Sequence, residues 1–210
     1  MKEPLRSAFR FRKAPFVLLL AFIASSAYGW TVRYKEQFYE LYHVHYNRYP
    51  DDTMENIHWL EQALKADFAN PLYALALIEN EAQWEKYRYL FMMHVNLKMI
   101  EQYLQLGSKW DKRVAYFYNA PWKEQNLESL ETAEKCYRTA LAYWDDARSW
   151  AAKAGEKRFR FMNLERAQFW EDEALRVEEG GLDYARIVAR ELARLEAVRA
   201  KFRAMDERTY

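Results

Sequence analysis

The sequence predicts an all-α chain, and three observations carry that prediction. The 210 residues include only 5 Gly and 5 Pro. That is too few for the turn every 8–12 residues or so that an all-β chain requires. Apolar residues recur at spacings of three and four over long stretches, the period of a helix buried on one face. The scarce breakers fall between those stretches. Composition removes other classes. With 51% hydrophobic residues the chain is not a disordered segment, and one cysteine cannot make a disulfide scaffold. A net charge of +1 argues against a nucleic-acid partner.

The first element is an export segment. Lys2, Arg6, Arg10, Arg12 and Lys13 stand against Glu3 in residues 1–13, and the uncharged stretch 14–32 follows. Basic then apolar is the order of a secretory signal. Cleavage after Ala27 or Gly29 is one outcome. The other is a retained signal-anchor helix, since 14–32 is close to the roughly 20 residues that a spanning helix needs. Tyr28 and Trp30 would then sit at the far interface, and the positive flank would keep the N-terminus cytoplasmic. Either way residues 33–210 form one extracytoplasmic helical domain, on the periplasmic side in a bacterium, anchored in the inner membrane or soluble after cleavage.

The remaining helices follow from their breaks. Residues 31–49 stay helix-compatible until Pro50. Asp52, with Glu55 three residues on, resembles a capping box and opens a helix burying Ile57, Leu60, Ala63, Leu64 and Phe68. Asn70-Pro71 reads as N-cap and first helical residue of a helix running to Leu106, with a bend near Glu81–Glu85 and Gly107 as C-cap. A short helix over about Trp110–Tyr118 ends at Asn119-Ala120-Pro121. A long one carries Leu127, Leu130, Ala133, Tyr137, Ala140, Leu141, Trp144, Ala147 and Ala151, and Gly155 closes it. Another spans about Glu156–Glu178, before Gly180-Gly181. The last places Ala185, Val188, Leu192, Leu195, Val198, Phe202 and Met205 on one stripe, close to a heptad seam, which allows a homo-oligomer through the C-terminal helix. Glu61/Lys65, Glu131/Lys135, Glu134/Arg138 and Glu156/Arg160 are i,i+4 pairs of solvated faces.

Ala63-Leu64-Lys65-Ala66-Asp67 followed by Asn70-Pro71-Leu72-Tyr73-Ala74-Leu75-Ala76 resembles the junction between two tetratricopeptide repeats. Ala133-Glu134-Lys135-Cys136-Tyr137-Arg138-Thr139-Ala140-Leu141 is similar to the second helix of such a repeat. The resemblance covers two islands. Ala63 to Ala140 is 77 residues, not a multiple of the 34-residue period, and the Trp-Leu-Gly signature of the first helix is missing. It implies an array of antiparallel helical hairpins, as a right-handed solenoid or an irregular bundle. It also implies a scaffold serving an envelope assembly, such as a secretion complex, the division machinery or a flagellar motor.

Chemistry-bearing motifs are sparse. Glu40/His43 and Glu55/His58 are Glu-x-x-His pairs of the kind that di-iron bundles use, with Glu81, Glu101 or Glu134 available as further ligands. Yet the two pairs lie 15 residues apart across the Pro50 turn, so no metal is expected. His94 in its apolar run reads as a satisfied core or groove histidine, and Cys136 as a buried thiol. No Gly-rich phosphate loop, Gly-x-Ser-x-Gly or His-Glu-x-x-His is present, so neither an enzyme nor a cofactor is implied. The aromatic surplus remains: 8 Trp, 16 Tyr and 12 Phe. Tyrosine and tryptophan dominate interface hot spots. The residues expected to contact a protein partner are therefore Tyr42, Tyr46, Trp84, Tyr87, Trp110 and Trp122. Arg186, Arg190 and Arg194, a same-sign stripe, are the expected charged contact. The alternative is a small-molecule-binding helical module associated with a transporter.

Overall fold

Helix formers between sparse breakers fold as helices in the computed structural model, which describes residues 31–113 and 118–209. The export segment 14–30 lies outside the described residues, as do 114–117. The chain divides into units 1–32 and 33–210. The second holds α1 (Lys35–Arg48), α2 (Thr53–Lys65), α3 (Glu81–Ser108), α4 (Lys123–Ala154), α5 (Gln168–Glu178) and α6 (Tyr184–Arg203). The chain is all-α: no strand occurs among the described residues, only one isolated bridge between Tyr34 and Asp67. None of the described helices is long and apolar enough to cross a membrane.

Local chemistry starts the helices where the pattern requires. The Asp52 side chain accepts from Glu55 N–H at 3.4 Å and opens α2. Asn80 accepts from Gln83 N–H at 2.9 Å and opens α3. Asp183 does the same for α6, accepting from Arg186 N–H at 3.0 Å. Each side-chain oxygen satisfies one of the amides that a helix start leaves without an internal partner.

Helices α1 to α4 pack antiparallel in succession. Phe38 lies on Trp59, and Lys109 at the end of α3 reaches Asp51 and Thr53 at the start of α2. Tyr103 stacks on Tyr143 and Tyr89 on Trp150, which fixes the α3–α4 hairpin. Helix α6 runs back along α4, with Tyr184 against Trp144 and Arg199 paired to Glu134. The stripe of α6 is spent inside the chain: Val188, Leu195 and Phe202 are buried in the helix that packs on α4. Short α5 touches both α3 and α4. The core runs through α3 and α4, where Leu90, Phe91, Met93, Leu97, Leu130, Ala133 and Tyr137 are closed to water.

Four sequence expectations need correction. Asn70 does cap, accepting from Leu72 N–H, but it opens only the 3-10 turn Pro71–Tyr73. Irregular chain then runs to Asn80, so the expected bend is a break. Trp110–Arg113 is turn and irregular chain rather than helix. The expected helix 156–178 starts at Gln168, after the 3-10 turn Lys157–Phe159. Arg166 there has φ 71°, a left-handed conformation that no helix contains. The two irregular segments hold each other, Leu77 N–H donating to Glu165 O at 3.2 Å. Glu156 accordingly pairs with Arg158, not Arg160. Finally, Gly107 is inside α3, whose C-cap is Lys109. A Cβ at Gly107 would stand 2.5 Å from Cε1 of Tyr137, so the glycine is a close-approach residue between α3 and α4.

Candidate functional site

The start of α1 is pinned by two adjacent charged residues, and this sets which face α1 turns inward. Lys35 Nζ donates to the carbonyls of Ala63 and Leu64 at the end of α2, where a helix leaves acceptors unpaired and a cation is favoured. Glu36 accepts from Ala69 N–H at 2.9 Å and from Tyr87 O–H at 3.4 Å. Both residues are buried. Burial lowers the Lys35 ammonium against the pull of Asp67 and Glu36. It raises the Glu36 carboxyl above the usual range although Ala69, Tyr87 and Lys35 act the other way.

With α1 so held, Tyr39, Tyr42, His43 and Tyr46 fall one turn apart on the face toward α3 and α5. On α3, His94, Lys98 and Glu101 make the matching stripe. Phe169 and Trp170 at the start of α5 complete a groove of about 320 Å³, and Asn47 also lines it. Its floor is buried and its rim is wet: Tyr42 is 4% exposed, whereas Tyr46 is 36% and Phe169 is 61% exposed.

A line of three polar side chains runs under the groove. Tyr39 Oη lies 2.7 Å from His94 Nε2, and His94 Nδ1 lies 2.5 Å from Glu173 Oε2. An ionised carboxylate only accepts, so Nδ1 carries a proton. Nε2 accepts from the Tyr39 hydroxyl if the ring is neutral and donates to it if the ring is an imidazolium. His94 is also clamped between rings, 5.1 Å from Trp170 and 5.4 Å from Tyr39. Burial, followed by the Glu173 and Glu101 charges, pushes the Tyr39 phenol up. Burial and then Glu101 do the same to Tyr42. At the far end Lys98 Nζ pairs with Glu101 at 3.0 Å, and Tyr184 O–H donates to Glu101 at 3.2 Å.

The structure separates the expected contact residues. Tyr42 and Tyr46 line the groove. Trp84 and Tyr87 do not: they are 9% and 0% exposed, stacked on each other at 5.3 Å over Phe68. Their assignment as contact residues is therefore corrected: rings closed to water by the core offer a partner no surface, and this holds for Tyr42 as well. Of the expected aromatic contacts Tyr46, Trp110 and Trp122 keep exposed rings. Trp110 and Trp122 are about half exposed but lie beyond the end of α3 and before α4, away from the groove lining.

The arginine stripe also divides. Arg194 reaches inward to Asp111, which is 0% exposed, and to Glu191 at 3.1 Å. Asp111 also takes the Tyr137 hydroxyl at 2.7 Å, and Arg113 closes the cluster on Glu191. Arg194 is thus a structural pairing residue rather than a free contact. Arg186 and Arg190 remain exposed, Arg190 near Glu191 at 3.5 Å.

A larger concavity of about 540 Å³ lies where α5 meets the 155–163 segment. Its buried cation, Lys86, is already satisfied by Glu171 and by the Met162 carbonyl. The Glu-x-x-His pairs do not converge. His43 bonds Asn47, His45 bonds Asn56, and His58 packs on Trp59. No cluster of three metal-type ligands occurs among the described residues. Cys136 is buried, and burial raises its thiol. Sequence reasoning missed Tyr39, Glu173 and Trp170 as site residues. The available signal was the polar residues 94, 98 and 101 sharing one face within the apolar-rich stretch 89–106.

A family model described as a domain of unknown function (DUF8513) matches residues 82–205. No curated protein matches the chain, and no solved structure matches it.

Proposed function

The chain belongs to the DUF8513 family, a domain of unknown function, and from its geometry we propose a non-enzymatic scaffold that binds a protein partner in an envelope assembly. In this reading residues 1–32 export the chain and 14–32 anchor it or are removed, leaving the helical domain on the extracytoplasmic side. The hairpins form an irregular, tetratricopeptide-like bundle, because the α3–α4 hairpin, residues 81–154, is about twice the length of one 34-residue unit.

The observation that carries the proposal is the open groove. Tyr46 and Phe169 present exposed rings at the rim of a concavity floored by the buried Tyr42, the surroundings in which aromatic anchors contribute most to protein association. A second reading, a small-molecule module, draws on the groove volume of about 320 Å³, at the lower end of the range typical of ligand pockets.

Photo-crosslinking in the native envelope tests the proposal. A photoreactive residue replaces Tyr46 or Phe169, with Lys157 on the other concavity as control. One protein adduct at 46 and 169 but not at 157 supports the scaffold. Equal adducts at all three sites, or no adduct together with a co-purifying small molecule, refutes it.

A further inference from the structure

Helices α1 to α4 alternate in direction, so the start of α1, the end of α2, the start of α3 and the end of α4 share one end of the bundle. Lys35 bonds the last carbonyls of α2, Glu36 takes the Tyr87 hydroxyl, and Tyr89 stacks on Trp150. The irregular segments 66–80 and 155–167 are fastened at this same end. Leu75 N–H donates to Tyr87 Oη at 3.2 Å, Lys86 Nζ reaches the Met162 carbonyl, and Leu77 bonds Glu165.

These segments carry apolar side chains that the core does not take. Residues 68–78 hold no charge. Ala76, and Leu164 on the other segment, are buried. Leu72, Tyr73 and Phe161 point outward at 86%, 75% and 93% exposure, the three most exposed large apolar side chains among the described residues. Leu72 and Tyr73 belong to a 3-10 turn and Phe161 to the turn after another, so they are knobs rather than the lining of a groove. The charges around them nearly cancel: Arg33, Lys157, Arg160 and Arg166 stand against Asp67, Glu79, Glu81 and Glu165. Arg158 is held by Glu85 and Glu156, and Arg160 lies over the Phe161 ring at 5.8 Å. Protruding Leu, Tyr and Phe beside Lys and Arg suit a bilayer interface. There the apolar groups enter the headgroup boundary and the long cations keep their heads in water.

The point at which the chain enters the domain favours lipid over protein. Val32, the last residue of the uncharged stretch 14–32, is bonded to Arg33. Tyr34 then bridges Asp67, and Lys35 N–H donates to Asp67 O at 2.9 Å. Leu72 follows Asp67 by five residues, at most about 18 Å of extended chain. An anchored 14–32 therefore brings this end of the bundle, not the opposite one, toward the membrane.

We propose that this end of the helical domain lies on the lipid bilayer, with Leu72, Tyr73 and Phe161 inserted into its interface. This rests on the anchor reading of residues 14–32 proposed above, and it uses a face other than the groove.

The test uses the purified full chain in phosphatidylcholine vesicles doped with a nitroxide-labelled lipid. An environment-sensitive dye is attached to a single cysteine in a C136A background: L72C or F161C at this end, or M54C at the opposite end, where Met54 is also exposed. Dyes at 72 and 161 should shift to the blue and lose about half or more of their emission to the nitroxide, and the dye at 54 should do neither. Equal behaviour at all three positions overturns the inference. A photoreactive residue at 161 in the native envelope, with Cys136 kept, is the second measurement. A lipid adduct supports the inference and a protein adduct overturns it.

Alkaline carbonate separates the two readings. A chain that it strips from the envelope membranes has no anchor, and the inference falls with that reading. A chain that resists it while the dyes at 72 and 161 stay in water sinks the inference alone and leaves the anchor.

Discussion

Replacing Gly107 by alanine sets two effects of known sign against each other. Within a helix alanine is favoured over glycine by about 1 kcal/mol, and Gly107 lies inside α3 with no positive φ to protect. Opposing this, the new methyl carbon would meet Cε1, Cδ1 and Cζ of Tyr137 at 2.5, 2.9 and 3.1 Å. Overpacking of a filled core costs about 1–3 kcal/mol. The ring has little room to yield, being 1% exposed, and its hydroxyl is tied to the fully buried Asp111 at 2.7 Å. The upper half of that range applies, so G107A should destabilise by about 1–2 kcal/mol net. Urea unfolding followed by far-ultraviolet circular dichroism measures it. The decisive comparison is the same change in a Y137A background. With the ring gone only the propensity remains, and G107A should stabilise by up to about 1 kcal/mol. The cycle then shows a coupling of about 2–3 kcal/mol. A wild-type chain made more stable by G107A, or one showing the same loss in both backgrounds, would refute the close-approach argument.

Further outcomes follow from the ion pairs and from one orphaned atom. D111A removes the buried carboxylate facing Arg194, Arg113 and Tyr137 and should cost about 3 kcal/mol. By contrast, R186A and R190A should stay within about 0.5 kcal/mol, all by urea unfolding. Burial pushes Glu191 up, but Arg194 and Arg113 outweigh it and hold the carboxyl below the usual range. Its stabilisation is therefore present above the ordinary glutamate range and lost as pH falls through it toward the lowered folded value. E191Q should flatten that acid limb in thermal melts taken at successive pH values. Gln102 is buried with its carbonyl oxygen unpartnered, so Q102M, of similar volume, should be neutral or gain about 1 kcal/mol.

What the sequence could announce was decided by the range of the forces involved. Asp52 before a helix start, the i,i+4 pairs of Glu61 with Lys65 and Glu131 with Lys135, and the buried stripe of α6 are all local. Their period is visible without a partner. The errors at 70–80 and 156–167 share one cause. Both stretches carry helix-compatible residues, but they bond each other through Leu77 and Glu165, the Tyr87 hydroxyl accepts from Leu75 N–H in the first, and the Lys86 ammonium bonds the Met162 carbonyl in the second. Propensity is a weak term against such tertiary bonds. Gly107 was misread for the same reason: a glycine near a helix end signals a cap, whereas the need here is set by a ring 30 residues away in the chain.

The same distinction explains the site. Tyr42 and Tyr46 were readable as an aromatic stripe because they share one turn of one helix. Trp84 and Tyr87, a similar aromatic pair one turn apart, went into the core, as Tyr42 also did, and Tyr46 stayed at the rim. What separates the pairs is the neighbour: α3 is covered by α2 and α5, whereas the outer end of the α1 stripe extends past its cover to the rim. His94 illustrates the rest. One histidine in an apolar run needs both ring nitrogens satisfied, and sequence can say no more than that. Its two partners come from α1 and α5, which are 134 positions apart at Tyr39 and Glu173. Only the folded packing brings those two partners to its two ring nitrogens.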